Sequence, residues 1–189
     1  MAFEDQIMHK KSLTLLALLF IAGCANQAPL REVSLAVTAC AADAPVVLDG
    51  AVEIPKGHRA NTVRNMAEGE PGAGGMCNSK VFYPDSTIEV YRAYDTASHH
   101  SKFGRWWSFE KPAGEKASYR EANAICPEWS KLDAVVMCRI KPGTYFAVGT
   151  TQSAQCETQQ YGTNAAVQVY IPNSEDALLV EDCQPLGAW

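Results

Sequence analysis

The clearest pattern along this chain is a series of short segments in which apolar and polar positions alternate, as they do in β-strands with one buried face. In IEVYRAYD, apolar residues occupy positions 88, 90 and 93, and charged residues occupy positions 89, 92 and 95. Residues 132–140 are apolar almost throughout and are predicted to lie at the centre of a sheet. The predicted strands are residues 33–41, 81–83, 88–95, 103–109, 132–140, 144–151, 166–173 and 178–180.

Two segments favour helix instead. Residues 115–124 (EKASYREANA) contain good helix formers and no glycine or proline, and residues 61–66 predict one helical turn. Glycine and proline dominate residues 68–75, which predicts a surface loop. Because strands outnumber helices and the longer helix lies between strand runs, we expect a small α+β domain with a mainly antiparallel sheet and few short helices.

The start of the chain has the pattern of an export signal. Basic residues at positions 9–11 precede a short apolar run, residues 13–21, which is too short to cross a bilayer as a permanent helix. The run ends in IAGC, which resembles the lipobox of bacterial lipoproteins and implies that Cys24 is acylated and anchors the protein to a membrane. Ala25 after the cysteine favours the outer membrane by the same resemblance. An ordinary cleaved secretory signal is the alternative.

These observations divide the chain into a signal peptide at residues 1–23, a tether at residues 24–32 and a single globular domain at residues 33–189. The net charge of −5 argues against nucleic acid as a partner, because nucleic-acid-binding surfaces are normally basic.

Cysteines predict covalent cross-links in this domain. Six remain besides Cys24, and an even number in an exported chain predicts up to three disulfides, whose pairing the sequence leaves open. A zinc site is the competing interpretation, but the chain contains no CxxC pair, so we expect no metal. The six are Cys40, Cys77, Cys126, Cys138, Cys156 and Cys183.

The segment between residues 88 and 112 carries unusual candidate chemistry and is predicted to form an aromatic hairpin. Arg92 offers a planar guanidinium suited to a carboxylate or phosphate, and Tyr91 beside it offers a stacking surface. On a strand Trp106 and Trp107 face opposite sides, so one ring is predicted to join the core while the other lines an outer face or cleft. Ser108 shares the face of Trp106.

Two further candidates lie near this segment. Gln168 is on the polar side of the predicted strand VQVYIPN and therefore faces the surface or a cleft. His100 follows His99 in the polar turn of the predicted hairpin, where a neutral imidazole can hydrogen-bond a ligand. The sequence contains no GxSxG, P-loop or HExxH motif, which argues against the hydrolase, nucleotide-triphosphatase and zincin classes that those motifs mark.

Taken together, VYRAYD, FGRWWSFEKP and VQVYIPN resemble the ADP-ribosyltransferase-like domains of bacterial polymorphic toxins, over about residues 80–180. The resemblance implies that Arg92 holds a phosphate or ribose of NAD and that Ser108 supports the nicotinamide side of the pocket. It places Tyr91, Trp106, Trp107 and His100 around the dinucleotide.

The catalytic glutamate of the transferases falls on Gln168, which is a departure from their pattern. Glutamine occupies this position in the related necrotising-toxin type NAD glycohydrolases, which favours hydrolysis of NAD over transfer to protein. We therefore expect an exported lipoprotein that takes NAD as substrate, with no separate cofactor, and hydrolyses its nicotinamide–ribose bond. The alternative is a non-catalytic outer-membrane lipoprotein that binds a protein or glycan or has a structural role in the envelope.

Overall fold

The computed structural model describes residues 39–44, 47–98 and 100–189. The predicted signal peptide, lipidation site, tether and most of the predicted strand at residues 33–41 lie outside these residues, as does His99. None of the helices in the described part of the chain is long and apolar enough to cross a bilayer.

The described residues form two helices and ten strands. The helices are α1 (His58–Ala67) and α2 (Lys116–Asn123). The strands are β1 (Ala51–Glu53), β2 (Met76–Pro84), β3 (Glu89–Tyr94), β4 (Trp106–Trp107), β5 (Ala134–Ile140), β6 (Phe146–Thr151), β7 (Ala154–Gln155), β8 (Gln160–Tyr161), β9 (Asn164–Tyr170) and β10 (Val180–Ala188).

The strands form antiparallel sheets, which confirms the predicted small, mainly antiparallel α+β domain. A five-stranded sheet has the order β1-β2-β6-β9-β4, and a three-stranded sheet has the order β10-β5-β3, with β5 at its centre as predicted. Strands β7 and β8 form a separate two-stranded ribbon.

The main core lies between the two larger sheets. Val169 of β9 and Ile171 just after this strand are fully buried there, whereas Tyr170 between them belongs to a second cluster under α1. The five-stranded sheet is therefore covered on both faces. Buried residues of the main core include Phe82, Val90, Trp107, Val136, Ile140, Phe146, Val148, Val169, Ile171 and Val180.

The predicted aromatic hairpin is the largest difference from the sequence prediction. Of residues 103–109, only the two tryptophans of β4 form a strand, and they pair with β9. A single bridge between Tyr91 and Ser108 joins this segment to β3. The turn between β3 and β4 is instead held by hydrogen bonds to Ser101, whose side chain accepts from the Asp95 amide at 2.9 Å. The hairpin prediction was wrong because the second segment joins the other sheet.

The last strand is also much longer than predicted, since β10 covers nine residues rather than residues 178–180. It is an edge strand with two register shifts and mostly exposed side chains, so its polar sequence, with Pro185 and Gly187, gives no alternating pattern.

Three disulfides confirm the predicted covalent framework and supply the pairing that the sequence left open. Cys40 bonds to Cys77 on β2, Cys138 on β5 bonds to Cys183 on β10, and Cys126 after α2 bonds to Cys156 beside the β7–β8 ribbon. The last bond joins two connecting segments rather than neighbouring strands.

Candidate functional site

A cavity of about 290 Å³ opens where β3, β4 and β9 meet helix α2 and the segment that follows it. Four of the residues singled out in the sequence line it, although they come from two different sheets. The lining residues are Gly75, Arg92, Ala93, Trp106, Trp107, Tyr119, Asn123, Ala124, Ile125, Trp129, Ser130, Leu132 and Gln168.

Arg92 supplies the positive charge of this pocket. Its Nε donates to the carbonyl of Ser101 and its Nη1 to the carbonyl of Trp106, both at 2.6 Å. Among the described residues it forms no ion pair with a carboxylate. Burial lowers the pKa of Arg92 to about 10, so the guanidinium remains protonated at neutral pH. Its Nη2 donates to no described residue, so this end of the cation can donate to an anion.

The absence of a side chain at Gly104 leaves room for the guanidinium group of Arg92. A Cβ at this position would come within 2.4 Å of Nη2 of Arg92 and 2.6 Å of its Cζ. The backbone of the turn therefore packs directly against the guanidinium group.

We expect Gly104→Ala to weaken the binding of inorganic pyrophosphate about tenfold, since the displaced guanidinium loses charge-assisted hydrogen bonds. Isothermal titration calorimetry measures the change. Gly162→Ala is the matched control, because a Cβ there meets nothing within 4 Å. Equal affinity in the two variants would show that Gly104 does not position Arg92.

Gln168 lines the pocket, and its side-chain nitrogen, unlike its side-chain oxygen, has hydrogen-bond partners among the described residues. Its Nε2 donates to the Asn123 carbonyl at 2.8 Å and to Thr151 Oγ1 at 3.1 Å. Since Thr151 Oγ1 itself donates to the carbonyl of Ala166, both partners of Nε2 can only accept, which fixes the orientation of the amide. No described residue donates to Oε1 of Gln168, so this oxygen is left to accept a hydrogen bond from a ligand.

The two adjacent tryptophans lie on opposite sides, as strand alternation predicts. Trp107 is 3% exposed, belongs to the main core and donates from Nε1 to the Gly104 carbonyl at 2.9 Å. Trp106 is partly exposed and packs edge-on against Tyr170, with ring centroids 5.0 Å apart. Both contribute to the pocket wall.

Three predicted site residues do not line the pocket. The Ser108 hydroxyl is buried and donates to the Glu110 carbonyl at 2.7 Å, beside the Tyr91 carbonyl. Tyr91 lies outside the lining residues. His100 is exposed, with Nδ1 3.1 Å from Oε1 of Glu175. Ser108 therefore acts on the pocket indirectly, through the backbone between β3 and β4 and through the interaction of its side chain with Tyr119.

Helix α2 and the segment after it contribute pocket residues that the sequence reasoning missed. Tyr119 and Asn123 lie one turn apart on α2, a spacing that places them on the same helix face. Burial raises the pKa of Tyr119, against smaller opposing effects from Ser108 and from the charge of Arg92. Trp129 follows the helix and lines the pocket although it is 52% exposed. The helical spacing was visible in the sequence, but nothing there indicated which strand the helix would cover.

A group with metal-ligand chemistry lies close to this wall. Cys126, Glu128 and Cys156 bring one candidate ligand atom each within 4.8 Å of one another. Both sulfurs are joined in a disulfide, and Oε1 of Glu128 accepts a hydrogen bond from the Glu157 amide at 2.9 Å. The group therefore serves as a cross-link in this structure.

Comparisons with protein-family models, curated proteins and solved structures found no match to this chain. The pocket itself combines a cation, a fixed hydrogen-bond acceptor and aromatic walls. Among the described residues that line it there is no carboxylate and no histidine. This arrangement can hold an anionic ligand that also carries a hydrogen-bond donor and a planar ring.

Proposed function

We propose that this domain binds NAD in the pocket and hydrolyses its nicotinamide–ribose bond. The convergence of Arg92 and Gln168, from different sheets, on one cavity supports the proposal most directly. The ADP-ribosyltransferase-like motifs assign these two positions to NAD, which agrees with a cation and an acceptor facing the same space. The cavity of about 290 Å³ holds part of a dinucleotide, and the remainder extends past the rim.

The charge of the pocket favours the phosphate end of NAD. Arg92 is desolvated and bonded only to neutral carbonyls, so an arriving phosphate supplies the countercharge that the described residues do not provide. Charge-assisted bonds of this kind are about twice as strong as neutral ones. The affinity of the pocket for NAD therefore depends mainly on this contact.

The fixed oxygen of Gln168 suits the ribose next to the bond that breaks. It accepts a hydrogen bond from a ribose hydroxyl, and its negative end faces the ring as positive charge develops there. Nicotinamide in NAD is already a pyridinium cation, so the electron pair of the C1′–N bond returns to the ring and nicotinamide leaves neutral without a general acid. Water then bonds to C1′ and releases its proton to solvent, which leaves ADP-ribose.

A second candidate is binding without cleavage, in a non-catalytic envelope lipoprotein. The absence of a carboxylate or histidine among the described lining residues favours it, because nothing there can take a proton from the attacking water. The same pocket would then hold a nucleotide, protein segment or glycan without changing it.

The proposed location is the cell envelope, with a lipid on Cys24 as anchor. The three disulfides support export, because such bonds persist in oxidising compartments. The lipobox-like IAGC motif supports the membrane anchor.

The test is incubation of the purified protein with NAD, followed by chromatography for nicotinamide and ADP-ribose. We expect both products in equal amounts, formed at least tenfold more slowly by Gln168→Ala, which loses the oxygen that faces the ribose. Gln184→Ala, at an exposed glutamine of β10, should match the unmodified protein. Both variants should remain folded by circular dichroism.

The outcomes separate the two candidates. Nicotinamide release together with a loss in Gln168→Ala supports hydrolysis at this site. A rise in melting temperature with NAD but no nicotinamide supports binding without cleavage. If NAD is not cleaved and also causes no thermal shift, the assignment to NAD is wrong.

A further inference from the structure

Trp129 is the most exposed large aromatic side chain among the described residues, at 52%, and it lines the pocket. It lies outside the motifs that carry the family resemblance. Single exposed apolar residues are common on protein surfaces and mean little by themselves. What distinguishes Trp129 is how firmly the surrounding chain holds it.

A series of linked contacts fixes the position of this ring. The six-membered ring of Trp129 packs on Gly74, where an added Cβ would be 3.0 Å from the ring. The Gly74 amide donates to the Ser153 carbonyl at 2.8 Å. Three residues after Ser153, Cys156 bonds to Cys126, whose carbonyl accepts from the Trp129 amide at 3.0 Å.

Arg120 of α2 holds the same segment from the other side. Its Nη1 donates to the carbonyls of Ile125 and Cys126, at 3.3 and 3.2 Å, and its Nη2 donates to the Ser130 carbonyl at 2.6 Å. The backbone on both sides of Trp129 is therefore tied to the helix. An exposed ring held in this way loses little conformational entropy when a ligand packs against it.

The electrostatics of the pocket decide which part of a ligand this ring suits. A pyridinium ring entering beside Arg92 meets a like charge, and the described lining residues include no carboxylate to offset it. The oxygen of Gln168 is assigned to the ribose by the proposed function, so the negative face of an aromatic ring is the further attraction for a cation, and tryptophan provides the strongest one. Trp107 is buried in the core, Trp106 packs against Tyr170, and Tyr119 packs against Trp189.

We propose that Trp129 is a specificity-determining residue that binds the cationic nicotinamide ring of NAD by a cation–π contact at the pocket rim. This rests on the proposed function and assigns the two ends of the ligand. The phosphates lie against Arg92, and the pyridinium lies against Trp129, away from the guanidinium. The pocket then discriminates NAD from NADH, whose dihydronicotinamide ring carries no charge.

The test compares Trp129→Leu with the unmodified protein by calorimetric titration of two ligand pairs. The first pair is NAD and ADP-ribose, which differ by the nicotinamide ring. The second is the N-methylated nicotinamide cation and neutral nicotinamide, neither of which has a ribose bond to cleave. We expect Trp129→Leu to weaken NAD about tenfold and ADP-ribose less than about twofold, and to abolish the preference for the cation.

The controls are Trp129→Phe, which keeps a weaker aromatic face and should give an intermediate loss, and Leu178→Ala, which removes an exposed apolar side chain outside the pocket. An equal loss for NAD and ADP-ribose in Trp129→Leu would show a structural role and overturn the inference, as would no loss for either. If ADP-ribose binds the unmodified protein and NAD binds no more tightly than ADP-ribose, the phosphate site is supported and the role of Trp129 is wrong. If neither ligand binds, the proposed function itself fails.

Discussion

Arg92→Met is expected to weaken the binding of ADP-ribose and pyrophosphate at least a hundredfold. Two charge-assisted hydrogen bonds to a phosphate contribute about 1.5–3 kcal/mol each, and methionine retains the bulk of the side chain without the charge. Calorimetric titration at low and moderate salt measures the loss. Arg59→Met, at an exposed arginine on α1, is the matched control and should bind as the unmodified protein does.

The same substitution should leave the fold nearly unchanged. The pKa of Arg92 is lowered in the folded state, so folding disfavours its charged form, and this cost is present at every pH below about 10. Because methionine carries no charge, the substitution removes that cost, and this gain offsets the loss of the hydrogen bonds to Ser101 and Trp106. Arg92→Lys keeps the charge without the planar fork and should bind with intermediate affinity. Unchanged affinity in Arg92→Met would place the anion site elsewhere.

Gln168→Glu is expected to destabilise the protein by about 3 kcal/mol at neutral pH, because it places a carboxylate against two groups that need a donor. The Asn123 carbonyl cannot donate, and the Thr151 hydroxyl already donates to Ala166. For a chain of this size the loss corresponds to about 6–12 °C in Tm. The glutamate of the transferases therefore does not fit this pocket, and the substitution should not create transferase activity.

The pH dependence of this variant follows from the same contacts. Only the protonated carboxyl can donate to Asn123, so the pKa of the introduced group is raised in the folded state above its unfolded value of about 4.3. Its destabilising effect is therefore small below about pH 4.3 and grows as the pH rises through the folded-state pKa. Differential scanning calorimetry between pH 4 and 8 measures the difference from the unmodified protein, with Gln184→Glu as control. A deficit in Tm that does not change with pH would contradict this account.

Strand alternation correctly predicted β3, and a nearly continuous apolar run correctly predicted β5, because both strands face the core between the sheets. The strand predicted after the turn at residues 142–143 is β6. It also predicted that Gln168 points away from the side of β9 that carries Val169, since side-chain direction on a strand depends only on the neighbouring residues.

The rest of the pocket depends on contacts between distant segments. Trp129 lines it because a disulfide and Gly74 place it there, and its own neighbourhood in the sequence gives no periodic signal. Strand β10 was underestimated because an exposed edge strand needs no apolar alternation. The sequence also did not show which strand Trp106 would pair with, because β3 and β9, which without β4 are at the edges of the two larger sheets, can both accept an aromatic strand.

The bond between Cys126 and Cys156 also affects when the pocket reaches its final structure. Cys126 belongs to the segment that carries Trp129, whereas Arg92 and Gln168 lie on strands β3 and β9, which this bond does not join. A newly made chain in a reducing cytosol carries these cysteines as thiols, so the ring of Trp129 lacks its covalent tie there. On the proposed export route, we therefore expect the pocket to be completed only by oxidation after export. If the proposed NAD hydrolysis and export are both correct, this order of events would protect the NAD of the cell that makes the protein.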